Sequence, residues 1–390
     1  FRLTGDADAR VEAVSTTDAT DVKVIAQGEF KKGENKVQVS STELGGSYYT
    51  WRVVVENRPV ANVATVFKSD YPASGVSIDL NPESPFFGNT YVSQYSAPRG
   101  IRLFSPELDK DAPLYLSGVW DTSVGASPWR TTVMPTGTLL ISDWGDKMGG
   151  IYKFNPASPD SPRENFFAGT CNPASGEWTY EGKVIGGSTS GMAVRGSGEN
   201  TVLYSFQEDW PSDYSLNFVR WDLGTAEQVT GQPSAQYDGL SQYLINGNVN
   251  VVADDHGLYL AQVRGAGNNT KGVPAFIISD YDSNILFNSG SDWEDLNGGN
   301  SAIAVTPDAK TFYVQDASGN IHVCALTWEP TFSLTPLYKF SVVADGGADM
   351  NTYQLAIDPA GNLYAANRSS FRVFSPPREA SEAVTPAAST

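Results

Sequence analysis

The chain has 390 residues, of which 40% are hydrophobic and 12% aromatic, so it holds enough apolar material for a packed core and is not a disordered protein. Its net charge of −18, without a cluster of Lys and Arg, disfavours binding to nucleic acid or to an anionic membrane surface. The 37 glycines and 23 prolines, with many Tyr, Trp and Thr, favour short strands joined by tight turns. We therefore expect an all-β protein. The sequence has no apolar run of about 18 residues, so it predicts no membrane-spanning helix.

Residues 1–60 are predicted to form a small β module. Strands are predicted at 11–13, 22–26, 36–40 and 49–55, with a turn at 30–35. The runs Lys-Lys-Gly-Glu-Asn-Lys-Val-Gln-Val at 31–39 and Gly-Gly-Ser-Tyr-Tyr-Thr-Trp-Arg-Val-Val-Val at 45–55 resemble the small Ig-like domain of the flagellar-hook-cap type. Such domains precede propellers in secreted proteins of gut-type Bacteroidetes, so the resemblance implies a β-sandwich module and a secreted protein. The module is short for a full β-sandwich, so we expect that it can begin upstream of Phe1.

A unit of strand, turn, strand, loop and third strand repeats along residues 61–377. Its clearest copies lie at 302–314 and 354–366, where a Pro-Asp or Ala-Gly-Asn turn separates two apolar strands. The turns of all the copies fall near positions 82, 135, 197, 255, 307 and 359. A spacing of roughly 52 to 62 residues, repeated six times, predicts a six-bladed β-propeller.

The last copy of the unit lacks a fourth strand because it ends after Phe374, and an additional strand is predicted before the first copy, at 63–68. We expect strand 63–68 to supply the outer strand of the last blade, which would close the ring and remove its exposed edges. Residues 378–390, rich in Ala, Ser, Pro, Thr and Glu, are predicted to be a flexible tail.

The register of the repeats resembles the NHL, YVTN and related propeller repeats, and residues 304–314 resemble the surface-layer type in particular. The shared motifs are turn residues flanked by short apolar strands, so they imply the fold and hardly any function. Relatives that combine an Ig-like module with a propeller are mostly uncharacterised, so the resemblance implies location better than activity.

Motifs for catalysis and metal binding are sparse. The two histidines are His256, in a turn, and His322, in a strand, and no nucleophile elbow, zinc-protease motif or phosphate-binding loop is present. Cys171 and Cys324 are far apart without a neighbouring His, which disfavours a metal or redox site and leaves a disulfide open. The loop at 316–320 resembles a Ca²⁺-binding loop but lacks the distal Glu and fits a plain turn equally well. No other metal and no cofactor is predicted.

The predicted ligand site is one face of the propeller. The loops that enter the first strand of each blade and those that leave the second strand share that face, which is the usual place for a ligand. Their residues combine rings that stack on a sugar with polar groups that bind its hydroxyls. The predicted ligand-binding residues are Tyr95, Arg99, Trp129, Asp143, Trp144, Asp209, Trp210, Asn248, Arg264, Asp316, Tyr353, Asn367 and Arg368.

Three functions stay open on this sequence. The leading hypothesis is a secreted or cell-surface binding protein whose loop face binds a glycan or a surface protein. The second is an enzyme on the same face, such as a glycoside hydrolase, polysaccharide lyase or lactonase. The scarcity of His argues against a His-based mechanism but not against a pair of carboxylates. The third is an assembly component in which the Ig-like module spaces the propeller from the cell surface.

The expected location follows from the resemblance. Because Phe1 rather than Met begins the sequence, a secretion signal or lipid anchor would lie upstream of it. We expect an extracellular, periplasmic or outer-membrane-surface protein, a monomer, that binds neither nucleic acid nor the lipid bilayer directly.

Overall fold

The structure is a computed structural model, and it describes residues 1–3, 7–18, 20–31, 33–40, 42–45, 48–56, 64–109, 111–120, 125–145, 149–207, 217–244, 248–262, 274–292, 302–316, 319–341, 352–375 and 383–384. Almost all of the secondary structure in these residues is β, as the sequence predicts. The described helices are single turns, a 3₁₀ turn at Gly198–Asn200, α1 at Asp238–Ser241 and α2 at Ser289–Asp292. None of these helices is long and apolar enough to cross a membrane.

The N-terminal strands form two sheets, a larger one centred on β2 and a two-stranded one of β1 and β4. These strands are β1 (Arg2–Leu3), β2 (Ala7–Ser15), β3 (Val22–Phe30), β4 (Gly33–Glu34) and β5 (Tyr49–Glu56). β2 pairs antiparallel with both β3 and β5, and β1 pairs with β4. Leu3, Val11 and Val53 belong to the small apolar core of this region.

The predicted strand at 36–40 is wrong, because residues 35–40 are irregular in the structure. Val37 still packs against the core that contains Leu3 and Val11. The alternation of apolar and polar residues therefore reports a half-buried segment, but a strand also needs a neighbouring edge to pair with. At the other end of the chain, Ala383–Val384 pairs with the outer edge of β5, a contact that the prediction of a flexible tail did not include.

The strands from residue 64 onward form antiparallel sheets in which consecutive strands pair. After β6 (Ala64–Ser69) comes a sheet of β7 (Gly75–Ile78), β8 (Thr90–Gln94), β9 (Gly100–Phe104) and β10 (Leu114–Tyr115). The next is β11 (Pro128–Val133), β12 (Leu139–Asp143), β13 (Gly150–Phe154) and β14 (Glu164–Asn165). A smaller sheet follows, with β15 (Thr170–Cys171), β16 (Trp178–Tyr180) and β17 (Lys183–Gly186). The sequence did not predict this smaller sheet, because its strands are too short to show a pattern.

The four-stranded series then continues. One sheet contains β18 (Thr189–Arg195), β19 (Val202–Gln207), β20 (Asn217–Asp222) and β21 (Ala235–Gln236). The next contains β22 (Val249–Ala253), β23 (Leu258–Gln262), β24 (Phe276–Ser279) and β25 (Ile285–Asn288). It is followed by β26 (Ile303–Val305), β27 (Thr311–Gln315), β28 (Asn320–Thr327) and β29 (Ser333–Ser341). The last sheet consists of β30 (Thr352–Ile357), β31 (Leu363–Asn367), β32 (Phe371–Ser375) and, from the other end of the region, β6.

These four-stranded sheets are arranged in a ring around a channel. The first strand of each sheet packs against the first strands of its neighbours, in the cyclic order β7, β11, β18, β22, β26, β30 and back to β7. Antiparallel pairing of β6 with β32 joins the beginning of the region to its end. A ring of consecutive-strand sheets with their first strands innermost is a β-propeller.

Three buried phenylalanines pack at the seam where the ring closes. Phe67 on β6 lies 5.6 Å from Phe104 of the first sheet and 5.8 Å from Phe371 of the last, between ring centroids. Phe104 and Phe371 are themselves 5.1 Å apart. Burying each such side chain stabilises the fold by about 1.5 to 3 kcal/mol, so an apolar cluster reinforces the hydrogen bonds between β6 and β32.

The second strand of each four-stranded sheet ends in a buried polar residue. These residues are Gln94, Asp143, Gln207, Gln262, Gln315 and Asn367. Three positions earlier stands a buried apolar or aromatic side chain, namely Tyr91, Leu140, Tyr204, Tyr259, Phe312 or Tyr364. The large side chain fills the core between sheets. The polar side chain makes buried hydrogen bonds: Gln262 Nε2 donates to the carbonyls of Tyr243 and Pro274 at 2.8 and 2.7 Å, and Gln207 Nε2 donates to the hydroxyls of Thr189 and Ser205.

Aspartates fix several of the turns by accepting amide hydrogens. Asp358 Oδ1 accepts from the backbone amide of Asn362 at 2.8 Å, and Oδ2 accepts from its side-chain amide at 2.9 Å. The Tyr364 hydroxyl also donates to Asp358 Oδ2, at 3.2 Å. The same pair of amide bonds runs from Asn320 to Asp316 and from Asn284 to Asp280. A carboxylate therefore replaces water as the acceptor at these turns.

We expect Asp358→Ala to lower the free energy of unfolding by about 2 to 4 kcal/mol, because it leaves the Asn362 amides and the Tyr364 hydroxyl without their buried acceptor. Urea unfolding followed by tryptophan fluorescence measures the change. Asp282→Ala, in an exposed turn position, is the matched control and should change stability by less than about 0.5 kcal/mol. Equal effects of the two substitutions would contradict the role assigned to Asp358.

Candidate functional site

Bulges in two inner strands shape one mouth of the channel. The register of β11 shifts between Pro128 and Thr131, and that of β30 shifts between Thr352 and Gln354. A β-bulge inserts extra residues into a strand and changes the direction of their side chains. The inserted residues are Trp129, Arg130 and Tyr353. They lie on the face where the loops enter the first strands and leave the second strands, which is the face that the sequence predicts for the ligand.

Four aromatic side chains pack together at this mouth and are called the mouth cluster: Tyr95, Trp129, Trp144 and Tyr353. The Trp129 ring lies 5.2 Å from that of Trp144 and 5.0 Å from that of Tyr353, between centroids. Tyr95 meets Trp129 at 6.0 Å and Tyr353 at 5.9 Å, in both cases edge to face. Trp129 is only 8% exposed, whereas the other three side chains are half-buried. The cluster therefore has a closed centre and accessible outer rings.

Arg130 lies against the mouth cluster and is 1% exposed. Its guanidinium carbon is 4.9 Å from the Trp129 ring centroid and 5.6 Å from that of Tyr353. Nη1 donates to the Ser74 carbonyl at 2.7 Å, and Nη2 donates to Asn248 Oδ1 at 2.8 Å. Nε has no hydrogen-bond partner, and no carboxylate of the described residues pairs with this guanidinium. Burial therefore lowers the pKa of Arg130 to about 9.

Asp143 is fully buried at the end of β12, next to Trp144. Its Oδ1 accepts the backbone amide of Ser127 at 3.1 Å, and Oδ2 has no hydrogen-bond partner. Burial raises the pKa of Asp143 to about 7, although the Ser127 amide and the charges of Arg163 and Arg99 act to lower it. In the other described four-stranded sheets the equivalent position is Gln or Asn, so here an acid takes the place of a neutral amide.

Further predicted residues adjoin the mouth cluster. The Tyr95 hydroxyl donates to the Arg368 carbonyl at 3.3 Å, and Asn248 joins the cluster through Arg130 and through a 3.4 Å contact with Trp129 Nε1. Arg99 Nη1 donates to the carbonyl of Ala126. The next residue, Ser127, donates its backbone amide to Asp143. Asn367 accepts a hydrogen bond from the Thr352 hydroxyl and so supports the start of β30.

Asp316 bonds within its own turn rather than with the mouth cluster. Its Oδ1 accepts the Asn320 backbone amide at 2.9 Å, and its Oδ2 meets the Asn320 side-chain amide and His322 Nε2, each at 2.9 Å. Burial acts to raise the pKa of Asp316, but the bonds from His322 and Asn320 outweigh it and lower the pKa to about 2. These are the bonds of a plain turn, and a Ca²⁺ site here stays a prediction. Among the described residues, no three His, Cys, Asp or Glu side chains converge to hold a metal ion.

The remaining three predicted residues, Asp209, Trp210 and Arg264, lie outside the described residues. Sequence reasoning placed Arg130 beside Trp129 in the loops of this face but did not select it as a ligand-binding residue. The reason is that a bulge changes the direction of side chains without changing the alternation that predicts the strand. Of the buried polar residues that end the second strands, Asp143 and Asn367 were predicted as ligand-binding residues, but the position that the sheets share was not recognised. Aligning the repeats reveals this position, because in each second strand an aromatic residue or leucine is followed three positions later by Gln, Asn or Asp.

A cavity of about 780 Å³ occupies the opposite end of the channel, beside the turns that join the first and second strands. Half-buried side chains such as Thr132 and Val252 line it. Gln354 lies between this cavity and the mouth cluster. Its Oε1 accepts the backbone amides of Val76 and Thr131, both at 3.1 Å, and its Nε2 donates to the Thr131 carbonyl at 2.8 Å. One side chain thus links the inner strands of three sheets across the channel.

No disulfide joins Cys171 and Cys324, so the pairing that the sequence left open is not formed. Burial raises the pKa of Cys324 to about 12, and burial together with the charge of Asp143 raises that of Cys171 to about 11. Both thiols therefore stay protonated at neutral pH, which is unlike a nucleophilic cysteine.

Comparison with known proteins yields similarity of fold. No family model matches the chain, and no curated protein matches it. A protein of unknown function from Bacteroides thetaiotaomicron is 13% identical, with 94% of this chain and 90% of that chain covered and a TM-score of 0.49. The WD40 β-propeller domain of Doa1 is 12% identical, with 81% and 98% covered and a TM-score of 0.47.

A streptogramin B lyase is also similar, at 12% identity, with 80% of this chain and 97% of the lyase covered and a TM-score of 0.44. At identities this low, the similarity gives no information about function. The propeller assignment rests on the strand order and inner-strand packing of this chain.

We expect Asp143→Asn to stabilise the protein in a pH-dependent way. Burial raises the folded pKa to about 7 from 3.8, so between these values the folded chain holds a proton that the unfolded chain has lost. Stability therefore falls as pH rises through this window, and the loss is complete above pH 7. The amide carries no charge, so the variant should gain on the order of 4 kcal/mol at pH 8, at about 1.4 kcal/mol per pKa unit, and little at pH 4.5.

Urea unfolding at the two pH values measures the gain from Asp143→Asn. Asp308→Asn, in an exposed turn, is the control and should show no such pH dependence. An equal gain for Asp143→Asn at both pH values would show that ionisation of Asp143 is not the cause.

Proposed function

We propose that the protein is a secreted or cell-surface binding protein that recognises a glycan at the mouth cluster. We further propose that its propeller has six blades and is preceded by an Ig-like module. Six turn positions in the sequence and the cyclic packing of the first strands support the blade number. The pairing of β2 with β3 and β5 supports a sandwich-type module, and the family resemblance of residues 31–55 supports secretion.

The packing of four aromatic rings at one channel mouth carries the proposal. Sugar rings present C–H faces that stack on aromatic side chains, while their hydroxyls need hydrogen-bond donors and acceptors close by. Tyr95, Trp144 and Tyr353 are half-buried, so each leaves part of its ring accessible. Trp144 Nε1 is buried and has no hydrogen-bond partner in the described structure, so it is a donor that a hydroxyl reaches once the neighbouring side chains move. Contacts of Trp129 with all three of these rings hold the surface rigid, which lowers the entropy lost on binding.

An enzyme on the same face is the second candidate, and Asp143 is the observation in its favour. A buried acid with its pKa raised to about 7 has the properties of a general acid. Hydrolysis of a glycosidic bond also requires a second carboxyl group about 5 to 10 Å away. The groups that act against the raised pKa of Asp143 are the backbone amides of Ser127 and Gly145 and the guanidiniums of Arg163 and Arg99. Asp143 therefore supplies one of the two carboxyls that hydrolysis needs, and the packed rings of the mouth cluster make binding the first candidate.

We expect Trp144→Ala to weaken glycan binding by about 10-fold or more, because it removes a half-buried ring on which a sugar can stack. A glycan array identifies the ligand, and calorimetric titration of the best oligosaccharide measures the affinities. Trp51→Ala is the matched control, since Trp51 is 48% exposed on β5 and belongs to the N-terminal sheet.

Two outcomes would count against the binding proposal. One is an array without hits together with a melting temperature that no oligosaccharide changes, because any ligand of the folded state raises it. The other is equal loss of affinity in Trp144→Ala and Trp51→Ala, which would place binding away from the mouth cluster.

A further inference from the structure

Arg130 is a buried cation without a counter-charge in the part of the chain that the structure describes. Two of its N–H groups bond the Ser74 carbonyl and Asn248 Oδ1, and its Nε–H donates to nothing. Burying a guanidinium without a carboxylate is unfavourable, because neutral acceptors replace its hydration only in part. The fold tolerates this cost at the mouth cluster, where the proposed ligand binds.

The surroundings of Arg130 favour an anion over a neutral group. The rings of Trp129 and Tyr353 lie 4.9 and 5.6 Å away and supply only a weak cation–π attraction. Asp143, the acid beside the cluster, is largely protonated below pH 7 because burial raises its pKa. Arg99 adds a second guanidinium next to the entry of β11, where it bonds Ala126. The described charges at this mouth are therefore mostly positive, in a chain whose net charge is −18.

We propose that the glycan bound by the mouth cluster carries a carboxylate, as a uronic acid does, and that Arg130 binds this group. The inference rests on the proposed function, since it names the chemistry of the ligand at the same site. A carboxylate matches the planar guanidinium and accepts two parallel charge-assisted hydrogen bonds. Nε, the donor without a partner, supplies one of them, and an Nη supplies the other.

The carboxylate reaches Arg130 when the outer rings of the mouth cluster turn aside. Arg130 is 1% exposed, and the Tyr353 ring lies against it. Tyr95, which packs on Tyr353, is tied to the Arg368 carbonyl by a 3.3 Å hydrogen bond. Rotation of side chains on this scale commonly accompanies ligand binding without a change of backbone.

The test uses a panel of oligosaccharides in matched forms. Oligomers of galacturonate, glucuronate and mannuronate are each presented as the acid and as the methyl ester, which keeps every hydroxyl and removes the charge. Neutral oligosaccharides complete the panel. Titration of the unmodified protein is expected to show one acid bound on the order of 10-fold or more tighter than its ester. Equal affinity for acid and ester, or binding confined to neutral sugars, would overturn the proposal.

Substitution of Arg130 assigns the preference to a residue. Arg130→Gln should bind acid and ester alike, whereas Arg130→Lys, which keeps the charge but not the planar fork, should retain part of the preference. Survival of the full preference in Arg130→Gln would also overturn the proposal. If that variant does not fold, as circular dichroism would show, the acid–ester comparison on the unmodified protein decides alone.

The same panel separates this inference from the function on which it rests. Binding of neutral sugars or esters that Trp144→Ala weakens, with no preference for the acid, would leave the binding function standing and remove the role of Arg130. Absence of binding to any oligosaccharide, charged or neutral, would remove the glycan-binding function itself.

Discussion

The pairing of β6 with β32 is the interaction on which the channel and its mouth depend. β6 comes from the beginning of the propeller region and β32 from its end, so this one ladder joins the first sheet to the last. The packing of Phe67 between Phe104 and Phe371 adds an apolar cluster at the same seam. Without the seam, β7 and β30 would not be held side by side, and both would present unpartnered surfaces to solvent.

The candidate site lies directly across that seam. Tyr353 comes from the last sheet, Tyr95 from the first and Trp129 from the second, so the mouth cluster exists only in the closed ring. Gln354 depends on closure as well, because its amide joins β30 to Val76 on β7 and to Thr131 on β11. Closure therefore does more than remove sheet edges, since it brings together side chains that are more than two hundred residues apart in the sequence.

The sequence predicts the features of this fold that depend on local chemistry. Turn residues such as those of the Asp358–Asn362 bond leave a clear signal, because Asp, Gly and Asn satisfy a tight turn in a way that few other residues can. The irregular segment at 35–40 shows the limit, since alternation alone does not supply a pairing partner. The sequence predicts which face of the propeller carries the mouth residues, but not which of their side chains contact one another. Their distances depend on bulges at Trp129 and Tyr353, which long-range packing decides and alternation does not reveal.

The charge of the whole chain raises the question of how an acidic protein binds an acidic glycan. At physiological ionic strength, exposed charges are screened beyond about 8 Å, so most of the net charge of −18 acts weakly at the channel mouth. The groups that matter there are the buried ones, which salt screens least. Protonation keeps Asp143 from repelling an anion below pH 7, while Arg130, with its pKa lowered only to about 9, stays charged. The two opposite shifts have one cause, burial without an ion-pair partner among the described residues, and together they leave a local positive site in a negative protein.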